Sequence, residues 1–334
     1  MNIYNFNLQL YKVTGIQSVL VDIHEALKDR YTCRIAGNIP YEKVNKDLGI
    51  KIDEYVYNRN YIQFRNSIVF IHERRLLLIF WFLNTFLFWN TSVVYVHHNE
   101  LSGMKRLSCF PKHIVAISDS GIRNLTEYFK VDMSRITKIY NCTREPDEIC
   151  YDGKELSGKT IDVLYPARVN DVKRQLELVK HLDGRLNNNI RILFAGEGPR
   201  FAELREICAD SDQFVVLGYR PGIKSLLRKV NYVLLFSRHE GLPISLIEAC
   251  MAGTPIICNA VGGNTEIALD TNSFVVNDWE SLIDVLNNLP NVSATQYDEM
   301  CKHSRKIYEE RFMFETFRQN YIELIDRIQH ESNK

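Results

Sequence analysis

Two carboxylates, Glu240 and Glu248, stand out in the segment YVLLFSRHEGLPISLIEACMAGTPIICNAVGG, which runs from Tyr232 to Gly263. It reads as a strand, a short loop ending in Glu240, Pro243 at a first helical position and Glu248 inside the helix that follows. Ile244, Ile247 and Met251 would share a buried helical face, leaving Ser245, Glu248 and Ala252 on another. From Pro243 to Glu248 a helix rises roughly 7 Å, more than the roughly 5 Å between the carboxyls of a retaining hydrolase. An acid paired with a nucleophile is therefore disfavoured. Two separated ionised carboxylates suit a long ligand with a diol at each end, and a nucleotide sugar is such a ligand. The bland alternative is a pair of solvated glutamates near a helix start.

Glu240-Gly241-Leu242-Pro243 through Ile247-Glu248-Ala249 resembles the signature of glycosyltransferase family 4, the "glycosyl transferases group 1". That resemblance implies an α/β chain with two Rossmann-like, doubly wound domains facing a cleft, the GT-B fold. It also implies that Glu240 contacts the transferred sugar and Glu248 the ribose, with Gly241 and Leu242 on the donor. Pro166-Ala167-Arg168, with Lys173 five residues beyond Arg168, looks like the family's Gly-Arg and Lys pair that binds the diphosphate. A departing nucleoside diphosphate needs fixed cations, a guanidinium fork or an ammonium, each worth about 3 kcal/mol of barrier. Arg174 is an alternative cation, and an ordinary basic loop is the competing explanation. Gly196-Glu197-Gly198-Pro199 resembles the family's Gly-x-Gly-Pro turn, read here as letting strand and helix close tightly. Gly218-Tyr219-Arg220 matches the place where the family cradles the nucleobase, with a plain surface loop as the alternative. Gly262-Gly263-Asn264-Thr265 would present amides to an anion at a helix start, or be a plain turn.

The first lobe follows the family only in outline. Thr14-Gly15-Ile16-Gln17 resembles the glycine loop that faces the donor phosphates, with one glycine where many members have two. His97-His98 follows the strand Val93–Val96. Two adjacent histidines cannot both enter one core, and the family's strand-to-His motif favours His98 as the residue near the sugar. Ile117-Ser118-Asp119-Ser120 and Lys138-Ile139-Tyr140-Asn141 resemble the elements that end this lobe, with Cys142 in place of a glycine. The stretch from Arg74 to Trp89 is strongly apolar but falls short of the roughly 20 residues of a membrane span. Its aromatics and twin arginines suit a helix at a membrane surface, where a polyprenyl-linked acceptor would be met. A buried helix of the first lobe explains the leucines too and is the preferred reading.

These residues need strand ends to hold them. Short β-branched and aromatic runs alternate with amphipathic stretches, the pattern of βα units around a parallel sheet. Strands are expected at Ile3–Phe6, Thr32–Ala36, Ser67–Ile71, Val93–Val96, Ile114–Ile117 and Thr137–Tyr140 in the first half. The second half offers Ile161–Tyr165, Ile190–Ala195, Phe214–Leu217, Tyr232–Phe236, Pro255–Cys258 and Ser273–Val276. The 334 residues suit two domains: 1–150 for the acceptor and 151–302 for the nucleotide sugar, with a polar linker over 141–160. A helical segment, 303–334, would carry Tyr308, Phe312, Phe317, Tyr321 and Ile325 on one apolar face and pack back toward the first domain.

Composition narrows the class. Forty-one basic side chains balance 41 acidic ones, so no global field draws the chain to nucleic acid. The eight scattered cysteines form no C-x-x-C pair and read as reduced, mostly buried thiols. The amino terminus lacks the features of an export signal, so a cytoplasmic protein is expected, peripheral to the inner face of the cell membrane if the aromatic stretch binds there. Asp210-Ser211-Asp212 has the form of a metal-binding Asp-x-Asp but precedes its strand, away from the crevice. No metal or other cofactor is expected. A nicotinamide enzyme is unsupported, because no G-x-G-x-x-G motif has the required context. The expected activity is metal-independent transfer of a hexose-type sugar from a nucleoside-diphosphate sugar to a glycan or lipid-linked acceptor; retained configuration and a place in bacterial polysaccharide synthesis are what the family resemblance implies. The rivals are a sugar-nucleotide epimerase or hydrolase on the same fold and a non-catalytic partner subunit.

Overall fold

The computed structural model describes residues 1–146 and 160–332, so the expected linker lies mostly outside the described residues. The chain divides into two compact units, Met1–Cys142 with Met313–Lys334, and Thr143–Phe312.

The first unit holds β1 (Ile3–Phe6), α1 (Gly15–Leu27), β2 (Cys33–Gly37), β3 (Tyr55–Tyr57), β4 (Ile68–Ile71), α2 (Leu77–Leu87), β5 (Ser92–His97), β6 (His113–Ala116), α3 (Asp119–Arg123) and β7 (Ile136–Lys138). Its seven strands pair in the order β3-β2-β1-β4-β5-β6-β7, all parallel. Parallel strands covered on both faces must be apolar throughout; β1 and β4 are buried at every position. The strand β3 was not anticipated. It is a three-residue edge strand, with only Tyr55 fully buried.

The second unit holds β8 (Ile161–Pro166), α4 (Gln175–Leu182), β9 (Ile190–Ala195), α5 (Phe201–Ile207), β10 (Phe214–Gly218), α6 (Ile223–Lys229), β11 (Tyr232–Leu235), α7 (Ile244–Met251), β12 (Ile256–Cys258), α8 (Asn264–Ile267), β13 (Ser273–Val275), α9 (Trp279–Asn288) and α10 (Ala294–Arg311). The strand order is β10-β9-β8-β11-β12-β13, again parallel. In each sheet the order reverses beside the unit's first strand, between β1 and β4 and between β8 and β11. A ligand crevice is expected at the carboxyl end of such a reversal.

Three expectations need correction. The helical segment expected from His303 starts earlier, and its five apolar residues do not share one face. The helix α10 starts at Ala294, the chain breaks at Phe312 and Met313, and α11 (Phe314–Ser332) follows. Tyr308 and Phe312 are buried in the second unit, whereas Phe317, Tyr321 and Ile325 are buried in the first; there α11 packs on α1 and Tyr321 meets Phe70 edge-on. The helix α7 has no single buried stripe, because β11, α6, α8 and α10 surround it. Ala252 is buried and Ile244 is partly exposed, leaving Ser245 and Glu248 as its partly exposed polar positions. Finally, α2 is not a buried helix. It sets Leu77 and Phe80 into the core, but Ile79, Trp81, Phe82, Phe86 and Leu87 are exposed, as is Phe88 just beyond.

No disulfide links the described cysteines, and all but Cys109 are buried; Cys150 lies outside the described residues. Among the described residues no helix is long and apolar enough to cross a membrane.

Candidate active site

The reversal in the second sheet brings together the loops after β8 and β11. Their side chains meet in an ion pair, Lys173 Nζ to Glu240 Oε1 at 2.5 Å, between residues 67 apart in sequence. Glu240 is 7% exposed and Lys173 20%, so the pair is largely shielded from water. The two loops are tied by their backbones as well, since the Arg238 N–H donates to the Val172 carbonyl at 2.8 Å. The buried Tyr165 hydroxyl joins both, donating to the Lys173 carbonyl at 2.5 Å and accepting from the Phe236 N–H at 3.0 Å. Burial pushes its phenol well above the ordinary range, so it stays a protonated donor. Nothing in its sequence context marks Tyr165 beyond its place near a strand's carboxyl end.

Two glycine contacts fix these loops. A Cβ on Gly262, whose φ is +56°, would lie 2.0 Å from the Glu240 carbonyl oxygen. Only a glycine permits that approach. The next amide, Gly263 N–H, donates to the Gly241 carbonyl at 2.7 Å, and Asn264 N–H donates to Val261. Of the two readings of this segment, the Gly263 and Asn264 amides fit the plain turn: the first ties to the loop that carries Glu240, and the second closes a local turn on Val261. Around β8, a Cβ on Gly196 would meet the Ala167 carbonyl oxygen at 2.2 Å, and one on Gly198 the Val169 carbonyl oxygen at 2.3 Å. These glycines let two loops pack together, where closure of a strand on a helix was expected. The loop they press on carries Arg168, an exposed side chain whose guanidinium makes no hydrogen bond or ion pair among the described residues.

Arg174, the alternative cation, is engaged elsewhere. Its guanidinium donates to Glu177 at 3.0 Å and lies 4.3 Å from the Trp279 ring centroid and 5.1 Å from that of Phe236. Leu242 and Gly241 are buried beside Glu240, and Glu248 is half-buried on α7. Gly218 ends β10 with φ +71°, accepting from the Gly196 N–H at 2.9 Å, and Tyr219 and Arg220 beyond it are exposed. Asp210 and Asp212 are exposed ahead of β10, and Ser211 between them accepts from the Gln213 and Phe214 amides.

The first unit has its own crevice at the carboxyl ends of β4 and β5, a cavity of about 420 Å³ whose walls include Ile16, His72, Glu73, Arg75, His98 and Asn99. His98 Nε2 lies 2.9 Å from His72 Nδ1, with the rings stacked. Burial pulls the His98 pKa well below its ordinary value, and that of His72 down to about 3. Both are neutral at physiological pH and can orient a hydroxyl by hydrogen bonding. His97 is fully buried on the other side of the strand against Gly121, its pKa lowered to about 4 by burial. Glu73 accepts from the Leu8 N–H at 3.2 Å across the sheet reversal, and burial raises its pKa. His72 and Glu73 were missed in the sequence, although they follow the strand Ser67–Ile71 just as His97 and His98 follow theirs. Gly15 is exposed at the start of α1.

Among the described residues, the one group of three potential metal ligands is His24, Glu25 and Glu54. Lys28 Nζ already sits 2.5 Å from Glu25 and 3.2 Å from Glu54, where an ion would have to be.

Residues 152–306, which include the Lys173–Glu240 pair, match the family described as glycosyl transferases group 1. The chain carries a group 1 glycosyl transferase domain. The chain is 28% identical over 150 residues to the Vi polysaccharide biosynthesis protein VipC/TviE of Salmonella typhi, covering 40% of the present chain and 25% of that protein. It is 27% identical over 144 residues to the N-acetyl-alpha-D-glucosaminyl L-malate synthase of Bacillus anthracis, covering 42% of the chain and 34% of the synthase. The matches thus span about a quarter and about a third of these relatives' own lengths. The chain superposes on Anabaena HepE, solved in complex with UDP, with a TM-score of 0.82 at 16% identity over 98% of this chain and 100% of that one. A glycosyltransferase from Rickettsia africae gives a TM-score of 0.78 at 16% identity over 98% of both chains. At such identity the likeness establishes the fold, two Rossmann-like domains of the GT-B kind.

Proposed function

We propose that the protein is a glycosyltransferase that moves a hexose-type unit from a nucleoside-diphosphate sugar to a glycan or lipid-linked acceptor in polysaccharide synthesis, with retained anomeric configuration and without a metal. The observation that carries this reading is the shielded Lys173–Glu240 pair at the sheet reversal, inside the family-matched region. Arg168 and Lys173 take the diphosphate. Lys173 then exchanges its contact with Glu240 for one with phosphate, which frees the carboxylate to accept from the sugar hydroxyls. Such preorganised cations stabilise the leaving group's charge without reorganisation, and a diphosphate oxygen on the same face deprotonates the incoming hydroxyl. Glu248 accepts from the ribose, and Gly218, Tyr219 and Arg220 border the nucleobase. Gly241 and Leu242 line the donor. From the first unit, Gly15 offers its helix-start amide to phosphate and neutral His98 orients the sugar.

HepE was solved with UDP and with UDP-glucose, which supports a UDP sugar as the first donor to try. The test is calorimetric titration of the purified chain with UDP-, GDP- and ADP-sugars, followed by turnover with the best donor, for wild type and Lys173→Ala. Weakened binding and lost turnover in the variant are expected. A variant that binds and turns over the donor like wild type sinks the assignment.

A further inference from the structure

The helix α2 presents an outward face that the fold leaves uncovered. At 100° per residue, Leu78, Ile79, Phe82 and Phe86 lie on the side opposite Leu77 and Phe80, the two residues in the core. Trp81 is exposed beside that face, Leu87 is exposed at the helix end, and Phe88 follows in a left-handed turn. Phe86 is 56% exposed and Phe88 79%, far more than packing alone would leave for side chains of this size. Asn84, a polar interruption in the sequence, points inward: its amide donates to the Thr91 carbonyl at 2.8 Å and accepts from the Thr91 N–H at 3.0 Å. Of the helix's polar residues only Thr85 is exposed. Contiguous apolar surface of this kind marks a partner.

We propose that this face of α2 docks on an anionic lipid bilayer, with the aromatic side chains in the headgroup–acyl boundary. Three observations favour lipid over protein. The face carries hydrogen-bonding groups only at one edge, the Thr85 hydroxyl and the Trp81 indole, where a protein interface carries a polar rim. No acidic residue occurs from Arg74 through Asn99, so nothing there repels anionic headgroups. Exposed cations border the patch: Arg75 precedes the helix, and Lys112 lines a groove of about 280 Å³ with Trp81, Phe80 and Phe110. Their ion pairs, with Glu73 at 3.8 Å and Glu331 at 2.5 Å, leave the cations 62% and 70% exposed. Arg74 is not among them, because it donates to the Ser102 and Gly103 carbonyls and stacks on Phe129. Eleven helical residues span only about 16 Å, so the helix lies in the interface and does not cross it.

The test is cosedimentation of the full chain with vesicles of phosphatidylcholine alone and of phosphatidylcholine with phosphatidylglycerol, without sugar nucleotide. Its outcome is therefore independent of the proposed transferase activity. Binding to the phosphatidylglycerol vesicles is expected, with a blue shift of tryptophan emission. The double variant Phe82→Glu, Phe86→Glu should bind at least tenfold more weakly while keeping the wild-type circular dichroism, and Lys112→Glu should weaken binding in a salt-sensitive manner. The proposal is overturned by failure of the wild type to cosediment, by equal binding to both vesicles, or by undiminished binding of the double variant. It is overturned equally by a wild-type dimer that the double variant dissociates and that ignores vesicles, since the face would then belong to a second copy.

Discussion

Replacing Lys173 by methionine keeps the aliphatic stem and removes the ammonium that lies 2.5 Å from Glu240. At that separation the gross attraction is roughly 7 kcal/mol for an effective dielectric constant of about 20, and desolvation of the two ions offsets most of it. What the substitution exposes is the penalty of an unpartnered carboxylate in a shielded site. That penalty runs from about 3 kcal/mol for a fully buried pair, and partial hydration of Lys173 brings the expected loss nearer to about 2 kcal/mol. The assay is urea unfolding followed by circular dichroism, reading the shift in midpoint at constant slope. In the double variant Lys173→Met, Glu240→Gln no charge is left stranded, so at least half of the lost stability should return. Turnover should behave differently. Removing the cation should cost about 100-fold in kcat, near 3 kcal/mol, and the double variant should recover none of it. A single variant within about 0.5 kcal/mol of wild type, or a double variant no more stable than the single, would refute the account of a shielded pair. Turnover within threefold of wild type would refute the role of Lys173 in the chemistry.

Three further outcomes follow from the geometry. Gly262→Ala puts a methyl 2.0 Å from the Glu240 carbonyl at a positive φ, so thermal unfolding should show a loss of about 2 kcal/mol or more and calorimetry a weaker affinity for the sugar nucleotide. Tyr165→Phe strands the Phe236 N–H and frees the Lys173 carbonyl, a cost of about 1 to 3 kcal/mol; kcat should fall more than KM rises, because the loop that aims Lys173 loosens. For pH, the buried histidines have folded pKa values below the unfolded value, so the unfolded chain binds more protons in acid. Their stability is fully present above pH ~6.5 and declines as pH falls toward about 3 for His72 and about 4 for His97. Urea unfolding at pH 5.5 should therefore show a loss of roughly 1 kcal/mol per such histidine relative to pH 7, and His72→Gln should flatten the dependence.

The sheets were legible because parallel strands buried on both faces have to be written as unbroken apolar runs, as in Ile68–Ile71 and Tyr232–Leu235. The edge strand Tyr55–Tyr57 escaped because three residues paired on one side need no such run. Helix faces were less legible. A periodic pattern describes a helix with one neighbour, whereas α7 is enclosed by β11, α6, α8 and α10 and keeps only Ser245 and Glu248 as partly exposed polar positions. The reverse error concerned α2, whose leucines and aromatics suggested burial while the core accepts only Leu77 and Phe80. Arg168, Lys173, Glu240 and Glu248 could be named because they resemble a family's motifs and lie just beyond strands or within the helix that follows. The contact between Lys173 and Glu240 could not, since it depends on which strands are neighbours. The part played by Gly262 was hidden for the same reason: the backbone it accommodates lies 22 residues away in the chain.

The same topological device explains why functional candidates cluster where they do in each unit. Strand order reverses beside β1 and beside β8, so the loops leaving the two central strands diverge and open a gap that neither adjoining helix fills. In the second unit that gap is spanned by opposite charges, Lys173 against Glu240, with the Tyr165 hydroxyl bracing both loops beneath them. In the first, the Glu73 carboxylate accepts from the Leu8 N–H across the reversal, and the neutral His72–His98 pair lies beside it. The chemistry of each gap follows from these partners. An ammonium and a carboxylate held together by little except each other can be separated by a ligand that offers phosphate to one and hydroxyls to the other. Two histidines held neutral by burial carry no charge with which to hold an anion, and so suit a neutral polyol.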